Sequence, residues 1–257
     1  MWYNIFNNKT MGCEYVKPFE TAEYLVRLLN PADENELRKV QRLRYRYLLA
    51  EFDERKNDPE GLDDDGFDAF SDSILVIDKE TGEIAGTYRT ATEETLKGRA
   101  FKSEKEFDIS ALKAAPGGVV EAGRAVVHPD CRSGVVIGLL WKALVCYAEA
   151  RDKRYIIGTC SLHGTDPGLY EDCTSVLRRR YLFEDCEIKA VRQAFEYGRS
   201  DIPEEEATMP KLLGMYLKFG AKTSQNGFID YAFNCCDVLT VLDREKIDRR
   251  LYRFIMR

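Results

Sequence analysis

Two charged side chains interrupt an apolar stretch, and their chemistry sets the first expectations. Residues Val119 to Val127 read VVEAGRAVV, the branched, mostly apolar character of a buried strand, yet they include Glu121 and Arg124. A carboxylate inside a core strand is costly unless it is paired or used. Pro129 ends the strand, and Arg132, Ser133 and Gly134 form a polar turn. From Val135 to Ala150 apolar residues continue at helical spacing, with Trp141, Leu144, Val145 and Ala148 on neighbouring faces. A helix N-terminus with free N–H groups is a ready anion site. The unit therefore predicts a site that handles a phosphate-bearing group beside a buried acid.

Other elements must position this unit. Tyr24–Leu29 reads as a strand, and Asn30-Pro31 as the N-cap and first residue of a helix with its stripe at Leu37, Val40, Leu43, Tyr47 and Leu48. Arg44 lies beside that stripe. Ser73–Asp78, a Glu80-Thr81-Gly82 turn and Glu83–Thr90 make a β-hairpin whose second strand nears its end at Arg89. Residues 93 to 116 are charged and helix-prone. A strand at Arg154–Ser161, a helix from Thr165-Asp166-Pro167 to about Tyr181, a short helix at Pro210–Phe219, a strand at Asp237–Leu242 and a basic helical tail follow. This order predicts an α/β fold with a central mixed, twisted sheet flanked by helices. No linker demands division, so residues 1–22 are expected to be an N-terminal extension and 23–257 a single domain.

Composition excludes several classes. The net charge of -6 argues against bulk nucleic-acid binding. Eight cysteines without a C-x-x-C and only two histidines argue against a metal centre, zinc above all. The acidic run at Asp63, Asp64, Asp65 and Asp68 partly mimics a calcium loop, but Gly61 and Asp72 stand where ligands belong. By composition it reads as a solvated loop. The start lacks a signal peptide's pattern, and no apolar run reaches membrane-span length. The expectation is a cytoplasmic protein, at most peripheral on the inner face of the membrane through its basic tail.

The chain resembles the GNAT acyltransferase superfamily. LRYRYL (Leu43–Leu48), DDDGFD (Asp63–Asp68), GTYR (Gly86–Arg89), SEKEFD (Ser103–Asp108), EAGRAVVHPDCRSG (Glu121–Gly134), GTCSLHGTDP (Gly158–Pro167) and PKLLGMYLKFGA (Pro210–Ala221) occur in the expected order. Within that superfamily the set resembles the bacterial N-acyl amino acid synthases, ornithine-lipid N-acyltransferases in particular. The resemblance implies transfer of a long-chain, often 3-hydroxylated, acyl group from acyl carrier protein to the amine of an amino acid. No resident cofactor is implied; the carrier supplies a phosphopantetheine thioester. The more distant acyl-homoserine lactone synthases share a charged set that maps onto Arg44, Asp65, Asp68, Arg89, Glu121 and Arg124, with Asp63 competing with Asp65.

Chemistry assigns roles to these positions. An ammonium must lose a proton before it attacks a thioester, and a partly buried Glu121 suits the base, directly or through a water. The alternative is an ion pair with Arg124. Backbone N–H groups at Val126 or Val127 are expected to polarise the thioester carbonyl. Arg89 and Arg124 suit an acceptor carboxylate, or else the aspartates of the loop. Ser161 and His163 are candidates for the acid that meets the leaving thiolate, each with a strand-end hydrogen bond as its alternative. CoA-dependent members often carry R-x-x-G-x-G/A in the turn, whereas counting from Arg132 this chain has Val135 and Ile137. Arg132, Ser133 and Gly134 are therefore expected to hold a single carrier-borne phosphate. Arg178–Arg180 or the basic tail would dock the acidic carrier. Lactone synthesis, CoA-dependent acetylation and non-catalytic lipid or carrier binding are the competing readings.

Overall fold

A computed structural model describes residues 17–49 and 59–256; the aromatic positions Trp2, Tyr3, Phe6 and Tyr15 lie outside them. Twelve strands occur among the described residues: β1 (Phe19–Glu20), β2 (Tyr24–Leu28), β3 (Asp72–Asp78), β4 (Ile84–Thr92), β5 (Phe107–Asp108), β6 (Val119–Val127), β7 (Tyr155–His163), β8 (Lys189–Ala190), β9 (Ala194–Phe195), β10 (Lys222–Thr223), β11 (Gly227–Asp230) and β12 (Cys235–Asp243). The main sheet runs β1-β2-β3-β4-β6-β7-β12-β11-β9, with β10 also on β12. Among the strands of the described residues, only β6 and β7 form a parallel ladder. The sequence's mixed sheet is therefore present.

Apolar alternation assigns the faces. In β3, Ile74 and Val76 turn to one face while Leu75 turns to the other. The helix Val135–Ala150 covers the first face, with Val136, Leu140 and Leu144 in one cluster with Val120, Ala122 and Ile156. Beside it lies the helix Lys211–Lys218, whose Tyr216 ring, with Phe219 just beyond, meets Trp141 at 5.1 and 4.7 Å. The second face is covered in two parts. Val40 and Leu43 of the helix Glu34–Arg44 pack with Leu75, Ile84 and Val126. Phe101, Phe107 and Leu112 pack with Val119, Ile157 and Leu239.

Local chemistry moves several expected boundaries. Asn30 does not cap the first helix. Its side chain accepts from Ala32 N in a turn through Pro31, and Asp33 caps instead by accepting from Glu36 N. Residues 93–116 hold only the short helices Glu93–Leu96 and Ser110–Ala114, with a 3₁₀ turn Lys102–Lys105 and β5 between them. The Pro167 segment begins as a 3₁₀ turn before the helix Glu171–Arg180. No helix of the described residues is long and apolar enough to cross a membrane.

Candidate active site

Glu121 projects from β6 on the same face as Val119, Ile157 and Leu239, and it is 7% exposed. Its Oε2 accepts the Lys102 N–H at 2.8 Å and its Oε1 accepts the Ser103 N–H at 2.7 Å. Both oxygens therefore hold the first turn of Lys102–Lys105. Burial pushes the carboxyl above the ordinary glutamate range, against the pull of those N–H groups.

Arginines and aspartates build the wall beside it. Arg44 is fully buried at the end of its helix, just before a π turn, Tyr45–Leu49. Its guanidinium donates to Asp68 at 2.6 and 2.8 Å and to the Asp63 carbonyl at 2.9 Å, and forms an ion pair with the Asp63 carboxylate at 3.0 Å. Arg89 donates twice to Asp65, at 2.8 and 3.0 Å. Arg124 donates to Asp63 at 3.0 and 3.3 Å. All three candidate aspartates are thus engaged; Arg89 and Arg124 both hold the loop, Arg124 with part of its side chain still exposed. The acidic loop is not simply solvated: Asp63 and Asp68 side chains are 2% and 7% exposed. Burial alone would raise the Asp68 carboxyl, but Arg44 holds it below its ordinary value.

Arg124 reaches the loop through a β-bulge. Thr87 pairs with Val126 and Arg89 with Gly123, so Arg124 and Ala125 together face Tyr88. Arg124 sits at φ +53°, a sparsely populated conformation for a residue with a Cβ. The bulge aims the guanidinium at Asp63, and the Arg124 side chain remains 21% exposed.

The parallel strands then part. Pairing of β6 with β7 ends at Glu121–Ile157, although the strands continue to Val127 and His163. His128 N–H bonds Ala85 O on β4 at 2.8 Å. By strand alternation Val126 N–H faces β4 too, and Val127 N–H faces the β7 side. Between the two original candidates, register favours Val127 as the donor open to a carbonyl. Arg132, Ser133 and Gly134 are exposed, with Gly134 at φ +91° as the N-cap of Val135–Ala150. Glycine supplies that conformation without strain. It brings no side chain, and among the described residues no side-chain cap bonds the helix's first N–H groups.

A cleft of about 220 Å³ runs along this wall, lined by both signs of charge: Arg89, Lys102 and Arg124 with Glu106, Glu121 and Asp230. Glu106 is a site residue that sequence reasoning missed. It belongs to the quoted SEKEFD run, where its position before the buried Phe107 was the only signal. Its N–H donates to Ser103 O at 3.0 Å and its C=O accepts from Val191 N at 2.8 Å. Its Oε2 is buried with no hydrogen-bond partner among the described residues. Burial, then Asp237, Asp230 and Glu121, push its carboxyl up to about 8. Ser161, one of the two acid candidates, donates to Asp237 Oδ1 at 2.6 Å, its strand-end alternative. His163 is exposed.

The expected docking arginines are partly engaged within the chain. Arg179 donates to the carbonyls of Ser200 and Ile202, and Arg180 pairs with Glu204 at 2.7 Å. In the tail, Lys246 pairs with Asp185 at 2.5 Å.

Comparison with known proteins places this geometry. The acetyltransferase (GNAT) domain family matches residues 43–142. An L-ornithine N(alpha)-acyltransferase of Agrobacterium fabrum is 32% identical over 238 residues, covering 85% of this chain and 80% of that protein. One from Rhodobacter capsulatus is 29% identical, covering 91% and 95%. Among solved structures, the CoA-dependent acyl-homoserine lactone synthase BjaI superposes with a TM-score of 0.53 at 13% identity, covering 89% of this chain and 85% of that one. The fold is the GNAT fold expected from the sequence.

Proposed function

The chain belongs to the L-ornithine N(alpha)-acyltransferase family of GNAT proteins, and on that premise we propose that it moves a long-chain acyl group from an acyl-carrier-protein thioester to the α-amine of ornithine. The observation that carries this reading is the charged cleft beside the parted strands. A zwitterionic amino acid needs a cleft offering both signs of charge. The gap between β6 and β7 gives a thioester a path to the same point. The Val127 N–H is suited to polarise the thioester carbonyl there. Arg44 and the aspartates hold the loop wall, while partly exposed Arg124 is the cation best placed to meet the acceptor carboxylate.

The turn favours a carrier-borne phosphate over free CoA. Val135 is 48% exposed and, with Ile137, fills positions where close backbone approach to a pyrophosphate would need glycine. The uncapped N–H groups after Gly134 and the exposed Arg132 still suit one phosphate. The reading also places the protein in the cytoplasm, where carrier and amino acid meet.

Mass spectrometry of lipids from cells expressing the chain tests the reading. The expected result is a new N-acylornithine absent from control cells. With purified protein, acyl carrier protein thioester should give a higher kcat/KM than the matching acyl-CoA. Homoserine lactones made from S-adenosylmethionine, or acyl chains bound with no amide formed, would replace it.

A further inference from the structure

We propose that Glu106 is the general base that takes the proton from the acceptor ammonium, and that Glu121 is the positioning residue that sets it in place. This assignment rests on the acyltransferase reading above.

Both Glu121 oxygens already accept backbone N–H groups, from Lys102 and Ser103. That arrangement stabilises the anion and ties β6 to the turn Lys102–Lys105. Glu106 follows that turn directly. Its backbone is fixed on both sides, by Ser103 O and by Val191 N. Its side chain lines the same cleft, and its Oε2 has no partner among the described residues. A buried carboxylate oxygen without a donor is costly, and an incoming ammonium supplies the missing donor. Glu106 thus has a wholly unengaged oxygen, whereas both oxygens of Glu121 already hold backbone N–H groups.

The charged surroundings suit the role. Facing Glu106 are Asp237 on β12, Asp230 on β11, and Glu121 and Arg124 on β6. Lys102 and Lys105 of its own turn and Arg89 of β4 line the cleft with it. Burial and the three carboxylates raise its carboxyl to about 8, and Arg124 acts in the opposite direction. The raised carboxyl holds a proton more tightly than an ordinary glutamate, which brings it closer in proton affinity to an amine.

The step balances without a further reagent. The ammonium gives one proton to Glu106. The freed nitrogen lone pair forms the C–N bond at the thioester carbonyl carbon. The C–S bond then breaks with its electron pair on sulfur, and the second nitrogen proton ends on the thiol. Glu106 returns its proton to solvent.

The test is kcat/KM for ornithine against pH, with amide read by mass spectrometry and each variant's melting temperature recorded. Glu106→Gln should lose about 10²–10⁴-fold in rate with no fall in melting temperature, because an unpaired buried carboxyl is removed. Asp237→Asn, which removes a neighbouring negative charge, should move the rising limb of the profile toward lower pH. A substrate amine alone would not shift in this way. Amide formation by Glu106→Gln at the wild-type rate, or an Asp237→Asn profile with an unmoved limb, overturns the assignment while the acyltransferase reading stands. Absence of any amide from the wild type overturns both.

Discussion

Replacing Arg44 by alanine is expected to lower unfolding free energy at pH 7 by about 3–5 kcal/mol. The argument starts from burial. Arg44 is fully buried and binds Asp68 through two nitrogens, while also reaching the Asp63 carbonyl and carboxylate. Removing one partner of such a pair leaves carboxylates without adequate compensation in a low-dielectric site. The effect carries a pH signature. Arg44 holds Asp68 below its ordinary value, so the pair's contribution is present above the unfolded aspartate pKa of about 3.9 and is lost as pH falls through the folded value. In the variant, burial is offset only by Gln41 and Arg89, and Asp68 protonates at higher pH. The gap in stability should therefore be full at pH 7 and shrink as pH falls toward 4. Urea unfolding at a series of pH values measures it. A gap that stays constant with pH would mean lost packing of the arginine stem, not lost charge pairing.

Glu121→Gln is expected to lower kcat/KM by about 10²-fold through misplacement of the turn, and stability by about 1–3 kcal/mol. A glutamine offers one oxygen and one NH₂ where two backbone N–H groups need acceptors. Either Lys102 or Ser103 N–H then faces a donor, and the turn that carries Glu106 shifts. The variant should keep a rising pH limb, displaced toward acid because Glu121 is one of the groups that raise Glu106. Disappearance of the limb in this variant alone would return the base role to Glu121.

The sequence reached the fold through its periodicities. The apolar run Ser73–Asp78 before its Glu80-Thr81-Gly82 turn and the apolar stripe of Val135–Ala150 are one-dimensional signals, and both elements form where they predict. Caps were less legible. Asn30 and Asp33 are both competent cap residues, and in the structure Asp33 is the one that caps. Glu121 stood out because a charge breaks a β-branched run. Glu106 did not, because the carboxylates that act on it, Asp230 and Asp237, lie more than a hundred residues away and come near only through the strand pairing of β11 and β12. The Arg124 bulge was equally hidden, since it arises from a register shift against β4. The aspartate run looked solvated because a sequence cannot show that Arg44, Arg89 and Arg124 converge on it.

The central claim is amide formation on the α-nitrogen of ornithine. The direct measurement uses purified protein, a long-chain acyl carrier protein thioester, and ornithine labelled with ¹⁵N at the α position. Tandem mass spectrometry of the product then locates the acyl group. The account predicts the amide on the labelled nitrogen, with one carrier thiol freed for each amide formed. Acylation of the side-chain nitrogen, or release of free fatty acid without amide, would contradict it.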